Sequence, residues 1–269
     1  MLVFISDLHF VDETAGKQNI PTSAFKLFLS DIKTHSEKTK NKEKELKIVF
    51  LGDIFDLLRA EEWFREKEED RPWGNNTESM KKRAKIILDK IAEKNQDTFN
   101  LFSKQNLENT FKDTNVETIY IPGNHDRLCW MIDELKEKVI ELLGLRANNA
   151  ENFEHYFSNI EHGVYATHGH IFDKFNYEGG PAYTDLDYRS VPIGDPVTTE
   201  ILTKIPYKLF KNIELKNSLS SEDSIRLKYN FQEIGNIRPF WATLKWLIFQ
   251  VKENMVLKDI IEDTIDEIM

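Results

Sequence analysis

Four short polar clusters, each directly after a short apolar segment, constrain this sequence more than any other feature. In chain order they are Asp7-Leu8-His9, Gly52-Asp53-Ile54-Phe55-Asp56, Gly123-Asn124-His125-Asp126 and Thr167-His168-Gly169-His170. The apolar segments have the length of β-strands, and longer segments with apolar residues at helical spacing separate the first three. This alternation predicts an α/β fold in which the clusters meet at the carboxyl edge of a sheet, where open α/β sheets place their ligand sites.

The same periodicity predicts the individual elements. The expected strands span residues 2–6, 47–51 and 117–121, and an antiparallel pair is expected at 156–160 and 163–167. The expected helices lie at 23–36, around Trp63, at 81–94 and at 129–143. After about Phe175, Gly and Pro residues mark a loop-rich stretch, and helical spacing dominates beyond Thr198. The predicted domains are therefore an α/β core over 1–175 and a mostly helical cap or insertion over 176–269.

Composition excludes several classes of protein. The chain has 269 residues, of which 40% are hydrophobic and 30% charged, as in ordinary globular proteins. With 36 Lys and Arg against 46 Asp and Glu, its net charge of −10 argues against long nucleic acids as ligands. Cys129 has no cysteine to pair with, so a reducing compartment, the cytoplasm, is expected. We expect no signal peptide and no spanning helix, because the most apolar stretch, 239–251, is too short to cross a bilayer.

Each polar cluster has an ordinary structural explanation when it is taken alone. Asp-x-His and Gly-Asp are common in turns, and Gly-Asn-His-Asp can cap a helix. Four such clusters, three of them at strand ends, instead indicate a metal site. Carboxylate, imidazole and amide oxygen ligands suit borderline divalent ions such as manganese, iron, zinc or nickel. Two such ions roughly 3.5 to 4 Å apart can activate a shared water and neutralise a phosphate.

The order and spacing of the clusters resemble those of the calcineurin-like metallophosphoesterase family, over residues 1 to about 175. The resemblance implies a β-sandwich flanked by helices (αββα) that holds two divalent metal ions bridged by an aspartate and by a water or hydroxide. It implies a hydrolase that acts on a phosphodiester, a pyrophosphate or a phosphomonoester.

The resemblance also implies a set of metal ligands. Asp7 and His9 would hold the first ion, Asp53 would bridge both ions, and Asn124 and His168 would hold the second.

Further roles concern residues next to these ligands. The resemblance implies that His125 donates a proton or contacts the phosphate, oriented by Asp126. We expect Asp56 to orient a ligand or its own loop, and Arg127 to be an exposed surface residue.

One departure from the family pattern concerns the last metal ligands. The family normally ends with Gly-His-x-His, and no histidine follows His170 in this sequence. Either His170 substitutes as a metal ligand, or the last core strands lie outside this chain. The second explanation is favoured by an amphipathic stripe that runs to the final residue. The missing histidines also leave an alternative function, a non-catalytic metal-binding or scaffold protein that retains the fold.

The predicted cap bears on the substrate. Its position is similar to that of the helical insertion in UDP-2,3-diacylglucosamine hydrolase-type relatives, which lies over the metals. This resemblance implies a small or amphiphilic phosphoester substrate and is compatible with peripheral membrane contact through the cap. The aromatic run at 240–249 is interpreted as the core of the cap in preference to a binding surface.

Overall fold

The computed structural model contains a parallel sheet and a separate hairpin. It describes residues 1–38, 45–65, 67–74, 76–145, 153–180, 189–216, 220–237, 242–243, 245–246, 249 and 258–267. The parallel sheet has the order β1 (Leu2–Ile5), β2 (Glu45–Leu51) and β3 (Asn115–Ile121). The hairpin pairs β4 (Phe157–Asn159) with β5 (Val164–Ala166) antiparallel. The α/β class, the three parallel strands and the antiparallel pair are all as predicted.

Helices connect and follow these strands. In chain order they are α1 (Thr22–Lys38), α2 (Glu78–Lys94), α3 (Gln96–Phe102), α4 (Lys104–Thr110), α5 (Arg127–Met131), α6 (Asp133–Leu142), α7 (Gly194–Pro196), α8 (Lys204–Lys216), α9 (Ser221–Gln232) and α10 (Lys258–Asp266). Short 3-10 helices occur at Glu61–Phe64, Glu68–Asp70, His170–Phe172 and Ile234–Asn236, and a π-helix occurs at Val197–Thr203.

The central strand β2 shows why the sheet is covered on both faces. Its buried residues Ile48 and Phe50 pack into the main core with the helices. Val49, which points to the other face, packs against Phe157 of the hairpin and Ile121 of β3. Because alternate residues of a strand point to opposite faces, an almost continuous apolar strand is buried on both sides. The parallel sheet and the hairpin thus form two packed layers, with helices on the outer face of the parallel sheet.

The helices differ from the prediction at two places. A single helix was expected over 129–143, but Ile132 is extended and separates α5 from α6. The seven-residue helices α3 and α4 were not predicted, because each is too short to show a clear apolar period. The Ser103 side chain, between them, accepts a hydrogen bond from Asn106 N–H and so caps α4.

Buried ion pairs join residues 189–237 to the α/β core. Arg127 donates to Asp195 at 2.7 Å, and both side chains are almost fully buried. Arg71 donates to Glu200 at 2.9 Å. The expectation that Arg127 is an exposed surface residue is therefore wrong. The sequence does not show that a carboxylate 68 residues away provides its partner.

The last part of the chain is described only in pieces. Phe240, Trp241 and much of the predicted terminal stripe lie outside the described residues. Among the residues that are described, no helix is both long and apolar enough to cross a membrane.

The Arg127–Asp195 pair gives a prediction about stability. Asp195→Ala leaves a buried guanidinium without its counter-charge and should lower the free energy of unfolding by about 3–5 kcal/mol. The double variant Arg127→Met/Asp195→Leu should recover most of this loss, because it removes both charges. Urea unfolding measures both effects. Glu141→Ala, which breaks an exposed ion pair with Lys138, is the control and should change stability by no more than about 0.5 kcal/mol. A loss as small as the control's in Asp195→Ala would contradict the prediction.

Candidate metal centre

Backbone hydrogen bonds bring the loops after β1 and β2 together. The amide of Asp7 donates to the carbonyl of Gly52 at 3.0 Å, and that of His9 donates to the carbonyl of Asp53 at 2.9 Å. The two loops therefore continue the pairing of the parallel strands beyond the sheet. As a result, Asp7, His9 and Asp53 lie at the same carboxyl edge.

Three of the predicted ligands have a left-handed backbone. The φ angle is 54° at Asp7, 45° at His9 and 53° at Asp53. This conformation costs a residue with a side chain roughly 1–2 kcal/mol. Such strain is retained where the surrounding structure enforces it, often at functional sites. Here it turns three polar side chains of two adjacent loops towards one cavity.

Two glycines allow the motifs to approach one another. A Cβ atom at Gly52 would overlap the imidazole of His168, and one at Gly123 would overlap the carboxylate of Asp53. Gly52 also has a φ of 80°, which favours glycine. The glycines of the second and third clusters are thus needed for close packing of the site.

Asp7, Asp53 and His168 form the first group of candidate ligands. Nε2 of His168 lies 3.5 Å from a carboxylate oxygen of Asp7 and 3.5 Å from one of Asp53. One ligand atom from each residue lies within 4.8 Å of the other two. Two carboxylates and an imidazole are a donor set that suits a divalent transition metal, so the residues present fit such an ion.

His9, Asp56 and His125 form a second group beside the first. Nδ1 of His9 lies 3.1 Å from Oδ2 of Asp56, and Nδ1 of His125 lies 3.1 Å from Oδ1 of the same carboxylate. His9 also joins the two groups, because its Nε2 lies 3.8 Å from Oδ2 of Asp53. Ligand atoms of this second group also lie within 4.8 Å of one another.

Asn124 and His170 complete the set predicted from the sequence. Asn124 is buried and donates from Nδ2 to Asn176 at 3.5 Å. His170 is also buried, and its Nδ1 lies 2.9 Å from Nδ1 of His168. His168 therefore presents one edge of its ring to Asp7 and Asp53 and the other to His170. All six predicted metal ligands and His125 line one cavity of about 540 Å³.

The Asp126 side chain has different partners from the one expected. Its fully buried carboxylate accepts hydrogen bonds from the backbone amides of Ile54 (3.1 Å), Phe55 (2.8 Å) and Gly123 (3.1 Å). The carboxylate beside the His125 ring is that of Asp56. The expectation that Asp126 orients His125 is corrected, because the Asp126 oxygens are engaged by the loops after β2 and β3.

The charges around His168 shift three pKa values. The hydrogen bond from His168 lowers the pKa of Asp7 to about 2. Burial acts to lower the pKa of His168, but the Asp7 and Asp53 carboxylates outweigh it and raise this pKa. Burial, together with the charge of His168, lowers the pKa of His170 to about 3. The two carboxylates therefore favour a positive charge between them, and a divalent metal ion can supply that charge.

Burial and nearby charges also shift the pKa values of Asp56, His125 and Asp126. Burial would raise the pKa of Asp56, but Arg59 and His125 hold it well below its usual value. Burial would lower the pKa of His125, but the carboxylates of Asp56 and Asp53 raise it to about 9. Burial and the Asp53 charge raise the pKa of Asp126 to about 6. His125 is thus a proton-carrying group at neutral pH.

Several residues of the cavity were missed by sequence reasoning. They come from the stretch after the His-Gly cluster, from the C-terminal helices and from the loop after Asp56, namely Arg59, Asp173, Phe175, Asn176, Val197, Thr198, Leu202 and Gly235. Arg59 lies only three residues after Asp56, but the two residues are in a loop, so no regular spacing predicted their contact.

Asp126 provides a test of how the loops are held. Asp126→Asn replaces one acceptor oxygen with an NH₂ group, so at least one buried amide loses its partner. We expect a loss of about 1–3 kcal/mol in the free energy of unfolding and weaker Mn²⁺ binding, measured by urea unfolding and titration calorimetry. Asp89→Asn, at an exposed position of α2, should change neither. Unchanged Mn²⁺ affinity in Asp126→Asn would show that the loops keep their geometry without this carboxylate.

Comparison with known proteins identifies the family of this chain. The family model for calcineurin-like phosphoesterases matches residues 1–230. No curated protein and no solved structure gives a significant match. The family typically binds divalent metals, and the two groups of His and Asp residues can hold such ions. Because the match covers most of the 269 residues, the chain belongs to the calcineurin-like phosphoesterase family.

Proposed function

We propose that this protein is a phosphoester hydrolase that uses two divalent metal ions. Family membership supports a metal-dependent hydrolase of phosphoesters. The observation that carries the proposal is the convergence of Asp7, Asp53 and His168, whose ligand atoms lie within 4.8 Å of one another in the cavity that His125 also lines. Phosphodiesters, pyrophosphates and phosphomonoesters are the bonds that this chemistry can cleave.

The proposed ligand assignment is the one that the resemblance to the family implies, for side chains that line one cavity. Asp7 and His9 would hold one ion, Asp53 would bridge, and Asn124 and His168 would hold the other. When bound, the ions lower the pKa of a water molecule and neutralise phosphate oxygens. His170 contacts the far edge of the His168 ring, so it fixes the orientation of that ring, as outer partners of metal-binding histidines commonly do.

His125 is the proposed proton donor to the leaving oxygen. Its Nδ1 faces the Asp56 carboxylate, which leaves Nε2 for the substrate. Asp56 is itself held by Arg59, whose Nε donates to it at 2.6 Å. The Asp56 carboxylate, which is not one of the assigned metal ligands, raises the His125 pKa and so favours the protonated ring that an alkoxide leaving group requires.

The cavity suits a small or amphiphilic phosphoester. Its volume of about 540 Å³ is in the range of small-molecule sites, and its wall contains Phe175, Val197 and Leu202. The net charge of −10 disfavours long nucleic acids. With Cys129 buried and carrying a free thiol, we propose the cytoplasm as the location.

The proposed function is tested with a chromogenic substrate. The purified chain, supplied with Mn²⁺, should hydrolyse bis(4-nitrophenyl) phosphate, lose activity with a chelator and regain it when Mn²⁺ is restored. Mass spectrometric metal analysis should find two equivalents of metal. Bound metal without hydrolysis of this substrate, of 4-nitrophenyl phosphate or of a nucleoside diphosphate would instead favour the metal-binding scaffold.

Asp53→Ala should abolish metal binding and activity together. The carboxylate lies near the imidazoles of His9 and His168 and accepts a hydrogen bond from the backbone amide of His125 at 2.9 Å. Its removal takes one ligand from the first group and the contact that joins His9 to that group. Metal analysis after gel filtration and the rate with bis(4-nitrophenyl) phosphate measure the two losses. Activity equal to that of the parent would refute the ligand assignment.

His125→Ala should separate chemistry from metal binding. Loss of a positioned proton donor should lower kcat by roughly 10²–10⁴-fold, whereas the metal content should stay at the parent level. The effect should be largest for alkyl esters, which need a proton on the leaving oxygen, and smallest for nitrophenyl esters. An equal loss on both kinds of substrate would contradict the assignment of His125 as proton donor.

A further inference from the structure

A series of polar contacts leads from the first ligand group to Arg59. His9 lies 3.8 Å from Asp53 through Nε2 and 3.1 Å from Asp56 through Nδ1. Arg59 then donates from Nε to the same Asp56 oxygen at 2.6 Å. Arg59 is thus linked to Asp53 through Asp56 and His9, and it lines the same cavity.

The Arg59 guanidinium is nearly buried and only partly engaged. Its side chain is 10% exposed. Within the described part of the chain, Nε has a hydrogen-bond partner but the two terminal amino groups have none. Arginine presents its donors in a planar fork that matches the oxygens of a phosphate or carboxylate. The outer edge of this fork can thus receive an anion that enters the cavity.

Gly235 leaves room for this edge. A Cβ atom at Gly235 would lie 2.8 Å from Nη1 of Arg59 and 3.7 Å from its Cζ. Gly235 comes from the C-terminal helical part of the chain and lines the cavity together with Leu202. A side chain at 235 would therefore crowd the outer edge of the guanidinium, at Nη1, more closely than the Cδ atom next to Nε, which would lie 3.4 Å away.

We propose that the outer edge of Arg59 binds a second anionic group, carried by the leaving group of the substrate. The inference rests on the proposed function, because it takes His125 as the proton donor to the leaving oxygen. His125 and Arg59 contact the two oxygens of one carboxylate, that of Asp56, at 3.1 Å and 2.6 Å. An anion held by Arg59 is therefore close to the leaving oxygen. The substrate class is a phosphoester or phosphoanhydride whose leaving group bears a phosphate or a carboxylate.

The charges around Arg59 bear on which leaving groups it would favour. The Asp56 carboxylate lies beside His125, the proposed proton donor, and Arg59 is the guanidinium that contacts the other side of this carboxylate. A buried guanidinium binds phosphate more strongly than an exposed one, because the low local dielectric strengthens charge-assisted hydrogen bonds. Arg59 thus acts as a specificity residue towards the leaving group and as a positioning residue towards Asp56.

The experiment compares ligands that differ only in the second anion. Titration calorimetry on the Mn²⁺-loaded chain uses methylphosphonate, methylenediphosphonate, ethylene-1,2-diphosphonate and phosphonoacetate. The parent should bind a two-anion ligand more tightly than methylphosphonate. Arg59→Lys should reduce this preference by about tenfold or more, because it loses the fork of hydrogen bonds. Gly235→Ala should reduce it as well. Each variant is assessed by the ratio of its affinities for a two-anion ligand and for methylphosphonate. A change that weakens the binding of all ligands equally leaves this ratio unchanged.

A matched control separates this effect from the loss of a buried ion pair. Arg83 is as buried as Arg59 and contacts the Glu62 carboxylate at 3.1 Å, outside the cavity. Arg83→Lys should leave the preference for two-anion ligands at the parent value. A preference for the diphosphonates alone identifies phosphate as the second group, and one for phosphonoacetate alone identifies carboxylate.

Two outcomes would overturn the inference. One is a parent with no preference for two-anion ligands at either spacer length. The other is an Arg59→Lys variant that weakens all four ligands equally, which would make Arg59 only a support for Asp56. A preference that is intact in a chain that hydrolyses no phosphoester would instead overturn the proposed function and leave the anion-binding edge in place.

Discussion

The buried carboxylate of Asp126 is the interaction on which the site depends. It accepts three backbone amide hydrogens, two from the loop after β2 and one from Gly123 after β3, at 2.8–3.1 Å. No ordinary turn brings these segments together, since they are about 70 residues apart. A carboxylate that satisfies three buried amides offsets a desolvation cost that each would otherwise carry. The Asp126 carboxylate therefore holds the second and third clusters together through protein contacts alone.

The ligand side chains are held in an arrangement that is unfavourable without a cation. Asp7, His9 and Asp53 have positive φ angles, and the Asp7 and Asp53 carboxylates face the same imidazole nitrogen. The raised pKa of His168 shows that the protein responds by favouring a positive charge at this point. A divalent ion supplies that charge more fully than a proton does. Strain and charge repulsion are thus consistent with a site that is preorganised for metal binding.

The sequence predicted the strands, the edge at which the clusters meet and the candidate ligands that line the cavity, but not the rest of its wall. It could do so because the carboxyl ends of parallel strands share one edge of a sheet. It did not predict which carboxylate each side chain contacts. Asp56 and Asp126 both follow Gly-Asp or Gly-Asn motifs, and only the packed loops show that Asp56 faces His125 while Asp126 faces amides. The burial of Arg127 escaped prediction for the same reason, because its partner Asp195 lies in a distant segment.

The same limit applies to the wall of the cavity, which the sequence motifs define only in part. The ligand motifs lie on the sheet edge, but half of the cavity wall comes from elements that have no motif, including the π-helix Val197–Thr203 and Gly235. These elements are fixed to the core by Arg127–Asp195 and Arg71–Glu200. The cavity wall is therefore built from two parts of the chain, the motif-bearing core and residues after 170, which ion pairs hold together. A change at Leu202 or Gly235 would alter the wall of the cavity without replacing any of the candidate ligands.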